Sequence, residues 1–427
     1  MIGTAALALI LLGQTPATAG RYEMGERLKD LDQAWMSTPD KARRAAAVPK
    51  ITLAVTAFFS SKAADACKAL DEATAVLLGR AVSPEDAITL RFEPPFVEPR
   101  TAAKLKVGWA YSPTPSRAVR LQVGRQSVVA TPGRELTIEV RPEQLNPEIL
   151  QNPEVGYLMP VQVGTEQRSV FLSIIKKPKE RLAALKNTKQ PEALAIVEFL
   201  QRAFESPDSL ETDVPIIQYL FTAELLDEGR LRLDRADSMP FVKHKDTVFR
   251  ANFPRQVRGP LTVVIGLHGA GGSENMFFDA YGRGSAVTEA VKRNWAFISP
   301  RASATAAEDV IDWIKTRRKQ PIERIFILGH SMGGGMALNT GGLTPKPRAL
   351  AIFAPAARAI PPALDGVPVF VSIGKQDFMA AGVRTFAQQL TGRKGSIFEE
   401  MDPCEHLMIV GDSIPQAYRF FDANSGR

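Results

Sequence analysis

The sequence predicts an α/β chain with a doubly wound, mostly parallel sheet in its C-terminal part, preceded by a helical segment and a small β-sandwich-like domain. From residue 239 onward, LTVVIGLH (Leu261–His268), RIFILG (Arg324–Gly329), ALAIFA (Ala349–Ala354) and VPVFVSIG (Val367–Gly374) are almost entirely apolar and separated by helical stretches. Strands apolar on both faces belong to parallel sheets, because crossover helices cover both sides. Between residues 87 and 177 the texture differs: short alternating runs such as KLKVGWAY, AVRLQVG and ELTIEV lie between prolines and glycines. Such runs mark half-buried strands of a small sandwich.

The elements follow in order. Residues 1–19 carry an apolar run, Ala5–Leu12, too short to span a bilayer, followed by Ala17, Thr18 and Ala19 in the small-x-small pattern of an export leader. An exported chain, periplasmic or secreted, is expected. Residues 20–86 form a helical segment, with Leu28, Leu31 and Trp35 at helical spacing and an Ala-rich stretch that stops at Gly79. Residues 87–177 are the β-rich domain, residues 178–238 return to helical spacing as a connector, and residues 239–427 hold the sheet.

Composition narrows the partners. The net charge of +7 comes from basic residues that are scattered apart from short knots such as KTRRK (Lys315–Lys319). A nucleic-acid surface concentrates them on one element among aromatics, so no nucleic-acid partner is expected. No later run is long and apolar enough for a transmembrane helix. Two cysteines, Cys67 and Cys404, make no disulfide framework, and the sequence leaves their pairing open.

The chemistry gathers around GHSMGGG (Gly329–Gly335). A serine lifted above a sheet on a tight strand-to-helix turn needs almost no side chain two residues before and two residues after it, where Gly329 and Gly333 stand. Ser331 is therefore the candidate nucleophile. HGAGG (His268–Gly272) directly follows an early strand. Backbone N–H groups of Met332 and Ala270 are the expected donors to an oxyanion, with His268 and Gly269 supporting that loop. Of four histidines, His406 sits in a late loop from which an imidazole can reach the serine, and Asp377 ends a buried strand. The order nucleophile, acid, base matches the order for this kind of sheet, with Asp402 and Asp365 as weaker competitors for the acid. Arg301, after another strand, is a weaker candidate for a substrate carboxylate.

With LHGAGGS, RIFILGHSMGG, SIGKQD and EHLMIV in place, residues 241–427 resemble the α/β-hydrolase superfamily, in particular the lidless esterases grouped with feruloyl esterases, polyhydroxybutyrate depolymerases and dienelactone hydrolase. The resemblance implies a triad of Ser331, Asp377 and His406, an acyl-enzyme mechanism without metal or organic cofactor, and an ester substrate, either a small molecule or a polymer end. It covers under half of the chain, and residues 21–235 resemble no family. A prolyl-oligopeptidase-like peptidase shares the triad order, but its β domain is a propeller of repeated blades and no repeat is present here. A binding or anchoring protein with a vestigial hydrolase domain is a third reading. The short segment PAARAIPPALDG (Pro355–Gly366) stands where many lipases insert a cap, so a shallow, open pocket is expected.

Overall fold

The computed structural model describes residues 19–145, 154–206, 210–255 and 259–426; the expected leader lies outside them except for Ala19. Helices α1 (Arg21–Ser37), α2 (Lys41–Phe59) and α3 (Ala63–Leu78) form a packed trio. Asp40 starts α2 by accepting hydrogen bonds from the backbone N–H groups of Ala42 and Arg43, which satisfies donors that a helix start leaves unpaired. Gly79 ends α3 in the left-handed conformation at φ 69°.

Strands β1 (Ile88–Phe92), β2 (Phe96–Val97), β3 (Ala103–Trp109), β4 (Val119–Val123), β5 (Gln126–Ala130), β6 (Leu136–Val140), β7 (Val155–Val163) and β8 (Glu166–Ile174) make two sheets, ordered β1-β3-β6 and β2-β8-β7-β4-β5. All pairings but β2 with β8 are antiparallel. Period-two alternation decides the faces: in β3, Ala103, Leu105 and Val107 point inward and Lys104 and Lys106 outward. The two sheets share one core with Leu121, Val161 and Leu172, and Cys67 of α3 joins it. Cys67 and Cys404 are both buried free thiols.

Three helices, Pro178–Leu185, Pro191–Glu205 and Ile216–Asp227, lead to the large sheet. Its strands are β9 (Ser238–His244), β10 (Thr247–Asn252), β11 (Leu261–Leu267), β12 (Ala296–Pro300), β13 (Ile322–His330), β14 (Ala349–Phe353), β15 (Val369–Gly374) and β16 (Ile397–Met401), ordered β16-β15-β14-β13-β11-β12-β10-β9. The six strands from β11 onward run parallel, and β10 and β9 add an antiparallel edge. Every residue of β11, β12, β14 and β15 is buried, as the unbroken apolar runs require.

The N-terminal helices share the large sheet's core. Leu31, Trp35, Ile51 and Leu70 belong to the same buried cluster as Val264, Phe326 and Phe421. Polar clamps fix the trio in place. Trp35 Nε1 donates to Asp412 Oδ2 at 3.1 Å, on the helix Ile409–Ser425, and Arg44 pairs with the same carboxylate at 3.3 Å. Asp32, buried on α1, accepts the backbone N–H of Gly282 at 2.9 Å and of Arg283 at 2.6 Å. Those donors open a run of three left-handed residues, Gly282, Arg283 and Gly284, of which the first two turn their N–H groups to the carboxylate while the third donates to the Ala280 carbonyl at 2.9 Å.

Asp32→Ala leaves one buried and one part-buried donor without an acceptor and is expected to cost about 2 kcal/mol. Asp32→Asn, which keeps one acceptor, costs less. Urea unfolding of both variants checks the order, and equal midpoints for wild type and Asp32→Ala would contradict it.

Candidate active site

The strand order reverses at β11, which has β12 on one side and β13 on the other. The C-terminal ends of β11 and β13 therefore bound the crevice in which doubly wound sheets bind ligands. β13 delivers Ser331 there, at φ 52° and ψ −116°, a backbone conformation that is strained for a residue with a side chain. Its N–H donates to the Phe353 carbonyl at 2.9 Å, and its own carbonyl accepts from Gly335 at 3.2 Å and Ala356 at 2.9 Å. These bonds to neighbouring segments hold the strained turn.

Close approach explains the glycines. A Cβ on Gly333 would lie 2.1 Å from the Leu267 carbonyl oxygen, and one on Gly329 would lie 2.5 Å from the Gly333 carbonyl oxygen. A Cβ on Gly334 would meet Pro355 at 2.9 Å. Neither Gly329 nor Gly333 takes a positive φ, so space, not backbone freedom, excludes other residues.

Asp377 lies in the turn after β15 and His406 in the loop after β16. The His406 Nδ1 to Asp377 Oδ2 distance is 2.9 Å, with both side chains buried. A carboxylate only accepts, so Nδ1 carries the proton and Nε2 is the basic ring nitrogen. The second Asp377 oxygen accepts from Met379 N–H at 2.7 Å. The two loops are laced through Gln376: its N–H donates to the Cys404 carbonyl at 3.1 Å, and its side-chain oxygen accepts from Cys404 N–H at 2.9 Å. Glu405, fully enclosed beside His406, accepts from the N–H groups of Leu407 and Met408, and burial pushes its carboxyl up to about 7.

His268 and His330, both ahead of Ser331 in the chain, serve as struts. His268 donates from Nδ1 to its neighbour Gly269's carbonyl at 2.8 Å and accepts from Ala302 N–H on Nε2 at 2.9 Å. His330 donates from Nε2 to the His406 carbonyl at 2.9 Å, which leaves Nδ1 to accept from the Tyr281 hydroxyl at 2.6 Å. The Tyr281 oxygen in turn accepts Gly269 N–H at 3.4 Å. Through His330 and Tyr281 the imidazole loop and the HGAGG loop are thus joined. Burial, with a smaller push from His406, holds the His330 ring well below the usual histidine range. Tyr281 is invisible to motif reading, since nothing local marks a tyrosine some fifty residues from its partner as a strut.

Ser331, His406, Gly269 and Ala270 line one cavity of about 150 Å³. Met332 begins the short helix that follows the serine. The expected shallow, open pocket is not what forms. Although no cap is inserted between β14 and β15, α1, α2 and α3 contribute Leu28, Val55 and Leu70 to the same cavity, so the cover comes from the opposite end of the chain. Arg301 is not among the lining residues; its guanidinium forks onto the buried carboxylate of Glu274 at 2.8 and 3.0 Å. Asp402 instead binds Lys375 at 3.0 Å and Gln376 at 2.7 Å, and Asp365 pairs with Arg393 at 3.4 Å, so neither is the partner of His406.

The unfolded chain protonates His330 near its ordinary value of about 6.5 while the fold keeps it neutral. Its depressed value contributes stability above that pH, and the contribution is lost as the pH falls. Between about pH 7.5 and about pH 5.5 the loss from this one ring is roughly 1.4 kcal/mol. Melting curves across that range are expected to fall further for wild type than for His330→Gln, and parallel declines would contradict the assignment.

Residues 269–394 match the family model Hydrolase_4, described as serine aminopeptidase, S33; the match includes Ser331 and Asp377 and ends before His406. No curated protein matches the chain in sequence. Among solved structures it is similar to an S-formylglutathione hydrolase from Staphylococcus aureus, at 17% identity over 40% of this chain and 90% of that one, with a TM-score of 0.33. Est1E from Butyrivibrio proteoclasticus shares 11% identity over 45% of this chain and 100% of its own, with a TM-score of 0.35. The Pyrococcus furiosus esterase Pf2001 shares 13% over 43% and 90%, with a TM-score of 0.34. Sheet order, the turn at Ser331 and the match over residues 269–394 together make the C-terminal part of this chain similar to the α/β hydrolases.

Proposed function

We propose that the protein is a serine esterase that hydrolyses carboxylic esters through an acyl-enzyme. One observation carries the reading: a strained, buried serine and an imidazole hydrogen-bonded to a buried carboxylate line one cavity. In this reading His406 Nε2 takes the proton of Ser331 Oγ as the oxygen attacks the ester carbonyl. Asp377 keeps the Nδ1 proton in place and stabilises the imidazolium. The N–H groups of Met332 and Ala270 receive the negative charge, each such donor contributing roughly 3–4 kcal/mol to the barrier reduction. The alcohol leaves with the proton from His406, and water, activated by the same ring, releases the acid.

The matched family model favours a second reading, a peptidase acting at a chain's amino end. An ammonium group in the pocket needs an anionic partner. The carboxylate among the lining residues is Glu211, and it is engaged by Arg21 and by the Ser273 hydroxyl. The ester reading therefore fits the cavity better.

Ser331→Ala is expected to lower turnover of p-nitrophenyl acetate by about four orders of magnitude or more, and to abolish labelling by a fluorophosphonate probe. Unchanged turnover would reject the nucleophile. Faster cleavage of an aminoacyl anilide than of the matching ester would favour the peptidase.

A further inference from the structure

The cover over Ser331 is registered on the site. Arg21 donates to the Gly271 carbonyl at 2.9 Å, in the loop that lines the cavity beside Ser331. A Cβ on Gly271 would lie 2.4 Å from the Phe58 ring, and one on Gly25 would lie 2.1 Å from the Glu211 carbonyl oxygen. Arg21 and Phe58 thus hold α1 and α2 close against the Gly271 turn, and Gly25 lets α1 pack on the Glu211 backbone. A seam between loosely apposed segments carries no such fit.

What the helices present is apolar. Met24 and Leu28 on α1, Val55, Phe58 and Phe59 on α2 and Leu70 on α3 face the cavity. Its volume, about 150 Å³, is that at which an apolar cavity in another protein admits benzene. Phe58 and Phe59 meet edge to face at 5.3 Å, and 36% and 57% of their surface is exposed. Large aromatics left in water where an apolar cavity opens give an apolar chain a continuous path inward.

We propose that this cavity is the acyl pocket and that the preferred substrates are esters of apolar acids with about six carbons in the acyl group. The inference rests on Ser331 being the nucleophile. In the acylation step the Ser331 Oγ–carbon bond forms, the bond from the carbonyl carbon to the alcohol oxygen breaks, and that oxygen takes the proton released by the serine. The acyl chain lies among Leu28, Val55 and Leu70 throughout and leaves as the free acid once water has attacked.

The test is a series of p-nitrophenyl esters, from acetate through hexanoate to dodecanoate, with the full chain. kcat/KM is expected to peak near hexanoate, about tenfold or more above acetate, and to fall at dodecanoate. Val55→Phe and Leu28→Trp each fill the cavity and are expected to lower the hexanoate-to-acetate ratio about tenfold. An optimum at acetate, a rise that continues through dodecanoate, or a ratio unmoved by both variants would overturn the acyl pocket. Turnover that is lost in Ser331→Ala but shows one of those profiles removes this inference and leaves the esterase reading standing. Turnover that survives Ser331→Ala removes both.

Discussion

The approach of Gly333 to the end of β11 is the constraint on which the site depends. With the Leu267 carbonyl oxygen 2.1 Å from where a Cβ would stand, the helix after Ser331 presses against the strand that leads into HGAGG. That contact sets the serine and the glycine-rich loop at one height above the sheet. A methyl group there drives the two strand ends apart, because the facing atom is backbone and has no rotamer to yield. The strained φ of Ser331 is thus sustained by packing around it, with Phe353, Gly335 and Ala356 holding its amide and carbonyl.

Around that contact two further layers of support converge. Gln376 joins the acid and imidazole loops, while His330 and Tyr281 tie the imidazole loop to the loop on the opposite side of the serine. Because each hydrogen bond fixes the donor role of the next, the His330 ring has one tautomer available, and its burial keeps it uncharged. The outer layer is the helical trio, held by Asp32, Arg44 and Arg21 at separate points of the C-terminal domain.

Much of this was legible in the residues. Unbroken apolar runs gave the parallel sheet, and the glycine spacing around Ser331 gave the turn, because both reflect local steric rules. Asp377 and His406 followed from chain order and a scarcity of histidines. What the sequence withheld is non-local. Leu28, Leu31 and Trp35 read as one amphipathic stripe, yet Leu28 faces a cavity and Trp35 the sheet's core, and spacing alone does not say which surface a stripe will meet. The expectation of an open pocket failed for the same reason: it looked for a cap where the fold commonly inserts one, between β14 and β15. Arg301 looked free because its partner Glu274 is a buried carboxylate whose burial only tertiary structure reveals.

The clamp between Trp35 and Asp412 joins residues 377 positions apart. During synthesis the helices that cover the serine leave the ribosome long before the segment that locks them down, and loop closure over such a distance is slow. Until Asp412 has emerged, Trp35 and Arg44 lack their shared polar partner, and the trio rests on the earlier ties of Asp32 to Gly282 and Arg283 and of Arg21 to Gly271. A chain that stops short of Asp412 therefore has its roof fastened at fewer points, which couples the completeness of the polypeptide to the shape of its own cavity.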